Sequence, residues 1–173
     1  MYISKIELSN FRNYEEVTVL FNPGLNVIIG HNNSGKTNLL RALQMVFDRN
    51  NNIKPTIDDF CKKIKDFSKP PSIQISVFIR QEEKEPDDDF NVVYNWLIES
   101  KPNYLAQLTY SFELPLKHLD EYKRSVEDFK DQEGNYDIDA CLKTIQKKFL
   151  SKYVSRIYGG WIFRTILTPL NPA

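Results

Sequence analysis

The sequence predicts an α/β fold, a mixed sheet with an antiparallel β region and helices packed against it. Three observations predict it. Apolar and polar residues alternate over 2–8 and again over 73–79, as in strands with one buried face. Val27, Ile28 and Ile29 follow one another directly into a glycine-bearing segment, Gly30-His31-Asn32-Asn33-Ser34-Gly35-Lys36-Thr37. Leu39, Leu40, Leu43, Val46 and Phe47 then recur at helical spacing, with Asn38, Arg41, Gln44 and Asp48 on the other side.

In chain order, Tyr2, Ile6 and Leu8 form the inward side of the first strand, with Lys5 and Glu7 outward. Asn10 and Asn13 are turn formers, and Val17, Val19 and Phe21 resume the alternation, which predicts a hairpin. Asn22-Pro23-Gly24 breaks the chain before residues 25–29, whose consecutive apolar residues predict a central strand covered on both faces. The helix after the glycine-bearing loop ends in the asparagine-rich stretch 48–52, and the chain is irregular to Pro71, with room for one short helix. Asp58 and Asp59 follow only Ile57 and read as a loop or a helix cap.

Ile73, Ile75, Val77 and Ile79 predict another strand, followed by an acidic run over 82–89 that reads as a solvated loop. Residues 92–98 and 104–112 are rich in aromatic and β-branched residues and predict a second antiparallel pair, packed through Trp96 and Tyr104. Pro115 opens a helix with Leu116, Leu119, Tyr122, Val126 and Phe129 as its stripe, and the loop near Gly134 ends it. Ile138, Leu142, Ile145, Phe149 and Tyr153 predict a last helix, with Lys143, Lys147 and Lys148 on its solvated face.

Composition narrows the function classes. At 173 residues with 41% hydrophobic content the chain can bury a core without disulfides or structural metals. Its 23 basic and 23 acidic residues cancel, so the chain as a whole carries no basic field for nucleic acid, although a local patch is compatible with the count. Cys61 and Cys141 lie far apart and outside any zinc spacing, and read as buried thiols. Neither a leader nor an apolar run of membrane-spanning length is present, which leads to the expectation of a soluble, cytoplasmic protein without a membrane partner.

Residues 30–37 satisfy the GxxxxGK[ST] pattern between a predicted strand and a predicted helix. Its glycines let successive backbone N–H groups converge on phosphate oxygens, and the helix N-terminus adds its positive dipole end. Lys36 is expected on the β- and γ-phosphates and the Thr37 hydroxyl on Mg²⁺, so the expected ligand is ATP with magnesium. Asn38 continues the same candidate site. His31 occupies a variable loop position and reads as an exposed residue, and His118 as a surface helix residue.

The opening Ile3-Ser4-Lys5-Ile6-Glu7-Leu8-Ser9-Asn10-Phe11-Arg12-Asn13-Tyr14, with residues 25–30 and the run from His31 to Leu43, resembles the N-terminus of ATP-binding-cassette-like heads. Such heads occur in RecF, SMC and Rad50 proteins and in OLD-family (overcoming lysogenization defect) nucleases, including the Gabija defence nuclease. The resemblance is closest to the OLD group and covers about the first 50 residues. It implies a P-loop NTPase of the ABC-ATPase-head type, in part. It also implies that Arg12 and Asn13 help close the ATP site, where a bare reading makes them turn residues, and it offers Gln81 as the magnesium-contacting glutamine. Head dimerisation or self-association is implied, and DNA is an expected partner of the full-length protein only.

Departures from the pattern shape the expectation. No LSGGQ-like signature, no apolar strand ending in Asp-Glu and no later switch histidine can be found, and Gly159-Gly160 lacks the flanking residues of a signature. Catalytic residues are therefore not assigned. The expectation is that residues 1–173 form the N-terminal lobe of the ATPase domain of a longer protein, inactive alone, whose nuclease residues lie elsewhere. A nucleotide-sensing module that does not hydrolyse ATP is the second reading. A small kinase is disfavoured because Arg156 and Arg164 stand outside any lid pattern.

Overall fold

Alternating side chains build the sheet strand by strand in the computed structural model, which describes residues 1–31, 34–48, 53–82, 90–100 and 103–160. Strand β1 (Tyr2–Phe11) and strand β2 (Tyr14–Leu20) form the predicted hairpin, in register from Lys5↔Leu20 to Phe11↔Tyr14. Only Arg12 and Asn13 remain to make the turn. Strand β3 (Ile73–Arg80) lies antiparallel on the other side of β1, with Ile6↔Val77 and Leu8↔Ile75 as partners. Strand β5 (Leu105–Glu113) follows antiparallel to β3, with Ile75↔Tyr110 and Val77↔Leu108. The free side of β5 is shared: β4 (Leu97–Glu99) takes its first residues and β6 (Val154–Gly159) takes residues 108–113.

This register stacks one apolar face. Ile6 and Leu8, then Ile73, Ile75, Val77 and Ile79, then Ala106, Leu108, Tyr110 and Phe112 are buried in a single contiguous core. Helix α1 (Lys36–Phe47) packs on it through Leu39, Ala42, Met45 and Val46. Burying the larger of these side chains contributes about 1.5–3 kcal/mol each. The short α2 (Phe90–Val93) contributes Val93 to the same core. Tyr122 and Val126 of α3 (Leu119–Glu127) and Cys141 of α4 (Ile138–Thr144) complete it, with Ile145 and Phe149 from the π turn that continues α4. The Tyr122 hydroxyl donates to the Phe67 carbonyl at 3.1 Å, and that of Tyr153 to the Pro71 carbonyl at 2.9 Å, so both rings are buried with their polar ends paired. Both cysteines are buried free thiols, and burial pushes Cys141 up to about 11.

Several expectations are corrected. All strand pairs among the described residues are antiparallel, so the described sheet is not mixed. Residues 25–29 form no strand in it; Leu25, Val27 and Ile29 are 90%, 71% and 89% exposed. The consecutive apolar residues call for cover on two faces, but β2 and β3 already flank β1 and no described strand pairs with this segment. Leu40 and Phe47 of α1 are likewise exposed, with no described element covering them, while Ala42 and Met45 take the inward positions.

Residues 92–98 are not one strand but the end of α2, a 3₁₀ turn over Tyr94–Trp96 and the start of β4. The face of β3 expected outward is buried at its middle, with Ser76 paired to Thr109 at 2.9 Å and Phe78 under the Lys5 ammonium, while Gln74 and Arg80 at its ends are exposed. Leu116 is exposed in a 3₁₀ turn, and helix α3 begins at Leu119, four residues after the proline expected to open it. The asparagine-rich end over 49–52, the acidic run from Glu83 to Asp89 and residues 161–173 lie outside the described residues. Among the described residues no helix is long and apolar enough to cross a membrane.

Candidate functional site

The loop before α1 closes around its own lysine. Lys36 Nζ donates to the carbonyl oxygens of Gly30 and His31, the latter at 2.8 Å, and to Ser34 Oγ at 3.4 Å. The Ser34 N–H donates to the same His31 carbonyl at 3.1 Å. These acceptors are neutral, and among the described residues no carboxylate pairs with Lys36. Its positive charge is solvated by oxygens but not cancelled, which favours an anion beside it. Helix α1 adds to this: its first turn holds no acidic residue, and among the described residues no side chain caps its start, so its N–H groups and positive dipole end are open to an anion.

Gly35 is where the loop becomes helix, at φ 98, a left-handed conformation that favours glycine. A Cβ there would stand 2.5 Å from Asn13 Nδ2 and 2.6 Å from Tyr14 Oη, so the hairpin corner packs directly on this residue. Tyr14 donates its hydroxyl to the Gly35 carbonyl at 2.9 Å; burial pushes its phenol up, which keeps the donor protonated. Asn38 Nδ2 donates to Asn13 Oδ1 at 2.7 Å, and Arg12 Nη1 donates to Asn38 Oδ1 at 2.9 Å. The turn between β1 and β2 is thus bonded to both the loop and the first turn of α1.

Arg12 takes this place against the local preference of the backbone. Its φ is 54, uncommon for a side chain of this size, and Asn10 two residues earlier is also at 54. The left-handed step at Asn10 turns Phe11 into the core, where it forms an antiparallel bridge with Phe60. The chain around Phe60 is held by the Arg12 N–H on the Asp59 carbonyl at 2.9 Å and the Cys61 N–H on the Asn10 carbonyl at 3.0 Å. Asp59 itself is fully buried in a 3₁₀ turn, Ile57–Asp59, entered through a reciprocal cap with Thr56.

The Asp59 carboxylate accepts from Arg12 Nε at 2.8 Å and from Arg41 Nε and Nη2 at 3.2 Å each. It also accepts from the Thr56 N–H at 2.9 Å and the Thr56 hydroxyl at 3.2 Å. Burial pushes this carboxyl up, but the Thr56 N–H and the two guanidinium groups outweigh it and hold the group below the ordinary carboxylate range. Two cations share one anion, so the cluster keeps a net positive charge beside the loop.

The sequence-predicted residues divide accordingly. Arg12, Asn13, Gly30, His31, Ser34, Gly35, Lys36, Thr37 and Asn38 lie in one connected neighbourhood, with His31 contributing its carbonyl. Asn32 and Asn33 lie outside the described residues. Gln81 stands elsewhere: it follows Arg80, which pairs with Tyr2 at the start of β1, whereas Arg12 follows its end. A ten-residue strand spans roughly 30 Å, so the sheet separates the two. Tyr14, Arg41 and Asp59 were not singled out by sequence as site residues. The one available signal was Thr56-Ile57-Asp58-Asp59, the spacing of a cap with an acid at its third helical position.

The donor set is compatible with a triphosphate and magnesium. Thr37 is exposed on the first turn of α1, beside Lys36. Mg²⁺ keeps several waters and needs few protein oxygens when phosphates supply the rest, so one hydroxyl is a sufficient side-chain ligand. Among the described residues no group of three or more His, Cys, Asp or Glu gathers to hold a metal without such help.

Comparison with known proteins agrees in outline. The family model described as an AAA ATPase domain matches residues 1–158. The DNA replication and repair protein RecF of Limosilactobacillus reuteri (strain DSM 20016) is 52% identical over 46 residues, 27% of this chain and 12% of that protein. RecF of Ligilactobacillus salivarius (strain UCC118) is 54% identical over 46 residues, with the same coverage. That of Oceanobacillus iheyensis is 38% identical over 69 residues, 40% of this chain and 19% of the relative. The chain therefore matches less than a fifth of the length of these relatives. A solved structure from work on the structural biochemistry of ATP-driven dimerization and DNA-stimulated activation of SMC ATPases covers 84% of this chain and 78% of its own, at 17% identity and a TM-score of 0.40.

Proposed function

The chain belongs to the AAA ATPase domain family, and from that premise we propose that it binds ATP–Mg²⁺ through residues 30–37. In this reading the backbone N–H groups of the loop and of the first turn of α1 receive the β-phosphate. Lys36 exchanges its neutral carbonyl acceptors for charged phosphate oxygens, which are stronger partners. Thr37 ligates the magnesium, while Arg12, Asn13 and Asn38 border the nucleotide from the hairpin side. The observation that carries the proposal is Lys36: an ammonium held over the loop by neutral oxygens at the uncapped start of a twelve-residue helix.

The finer setting rests on the sequence resemblance over the first 50 residues. We place the domain, residues 1–173, as the N-terminal lobe of the ATPase head of an OLD-like nuclease that acts on DNA as a longer protein. Nucleotide state would there control association of two heads. The exposed Val27, Ile29, Leu40 and Phe47 support self-association, since large apolar side chains left in solvent gain by contact between copies.

Calorimetric titration of the chain with a slowly hydrolysed ATP analogue and Mg²⁺ tests the reading. Lys36→Ala is expected to weaken binding at least about 100-fold, since hydrogen bonds to charged groups contribute about 1.5–3 kcal/mol each and several are lost together. A folded wild-type chain that does not bind, or a Lys36→Ala chain that binds as wild type, overturns it.

A further inference from the structure

A guanidinium that contacts a ligand must be held in one place, and Arg12 begins with a handicap. It sits at the tip of a two-residue turn, at a left-handed φ that glycine would adopt more readily. Its side chain is nevertheless fixed by two residues, and its backbone by one of the same two. Its Nε is bonded to Asp59, its Nη1 to Asn38 at the start of α1, and its own N–H to the Asp59 carbonyl. Asp59 is the hub, because the same carboxylate holds Arg41 from the second turn of α1. The hairpin corner, helix α1 and the turn entered at Thr56 therefore meet on one fully buried acid.

Arg12 also lines, with Asn13, Asn38, Asp58, Lys62 and Lys63, a cavity of about 530 Å³ at the first turn of α1. Asp59 does not line it. The acid is turned inward on its five donors, and the arginine it holds is partly exposed at the cavity wall.

We propose that Asp59 is a positioning residue for the nucleotide site: it holds the Arg12 guanidinium at the wall of this cavity, so that the arginine meets the triphosphate without first losing side-chain freedom. This rests on the nucleotide reading above. The effect of Asp59 on the ligand passes through Arg12 alone. Arg41 serves as a strut that keeps the carboxylate charged and aimed when Arg12 turns toward phosphate, because a buried acid left without a cation is strongly disfavoured. Arg12→Ala leaves that second cation in place, so its fold is retained.

The test is a double-mutant cycle on the full chain, read as affinity for the ATP analogue with Mg²⁺, with a thermal melt on each variant as the folding control. Arg12→Ala and Asp59→Asn are each expected to weaken binding about 10-fold, in the range of one lost hydrogen bond to a charged group. The double variant is expected to be no weaker than Arg12→Ala. A purely structural role would instead give multiplied losses of about 100-fold, and that result, or wild-type affinity in folded Asp59→Asn, overturns the proposal.

If Asp59→Asn melts below the assay temperature, Asp59→Glu replaces it, keeping the charge and displacing it by one methylene. A several-fold loss is then expected in the wild-type background and none with Arg12→Ala; equal losses in both overturn the proposal. Lys36→Ala separates the two readings. Wild-type binding that Lys36→Ala abolishes, together with an additive cycle, sinks the role of Asp59 alone, whereas absence of wild-type binding sinks both.

Discussion

The two flanks of the loop at residues 30–37 are built differently. On the side that follows it, α1 buries Leu39, Ala42, Met45 and Val46, and the hairpin corner bonds to Gly35 and Asn38. On the side that precedes it, residues 25–29 carry four large apolar side chains, yet Leu25, Val27 and Ile29 stand in solvent. The contrast shows that hydrophobicity alone does not order a segment. A segment becomes part of the core when a neighbour presents a matching face in register, as β3 does to β1 and as α1 does to the sheet. The half of the loop carrying Lys36 and Thr37 is held by α1 and the hairpin corner, and the Lys36 ammonium ties the carbonyls of Gly30 and His31 to it.

The sharpest way to break this contrast is to remove the ring that joins the hairpin corner to the core. Phe60 is buried against Phe112 at 5.9 Å and Tyr153 at 5.6 Å, and bridges Phe11. Phe60→Ala is expected to lower unfolding stability by about 3–5 kcal/mol, measured by the denaturant midpoint. A loss under about 1 kcal/mol would show that the corner is not anchored through this ring.

Gly35→Ala probes the ordered flank at the loop itself. Its left-handed φ and the approach of Asn13 and Tyr14 predict a loss of about 1–3 kcal/mol and weaker binding of the ATP analogue, because the corner must move away. Unchanged melting and affinity would mean that the corner yields freely.

The smallest stability effect is expected on the preceding flank. Val27→Ser with Ile29→Ser should change stability by no more than about 0.5 kcal/mol each, as for exposed positions without partners. The same pair should reduce concentration-dependent light scattering, if the exposed side chains drive contact between copies. A loss of several kcal/mol would instead reveal packing at residues 25–29 and erase the difference between the flanks.

Much of the fold was legible in sequence because its signals are local. The alternation in β1 and β3, the helical recurrence after residue 37 and the GxxxxGK[ST] spacing each lie within a window shorter than one element. Residues 92–98 misled because β-branched and aromatic residues fit a short helix and a 3₁₀ turn equally well when Val93 and Trp96 find core to pack on. Strand β6 went unread because Val154, Arg156 and Ile157 are exposed and it presents no strong apolar side.

Asp59 is the clearest case of a site residue hidden from sequence. Its link to Arg12 spans 47 positions and exists only because Asn10 and Arg12 turn the chain so that Phe11 meets Phe60. Sequence by itself determined the phosphate-loop motif, the helix behind it and the strands whose periodicity is printed in neighbouring residues. Tertiary structure alone decided that residues 25–29 stay outside the described sheet, that every strand pair in it is antiparallel, and that one buried carboxylate joins Arg12 to Arg41. The reason is physical: periodicity reports which side of an element is apolar, whereas pairing and burial depend on a second surface that arrives from elsewhere in the chain.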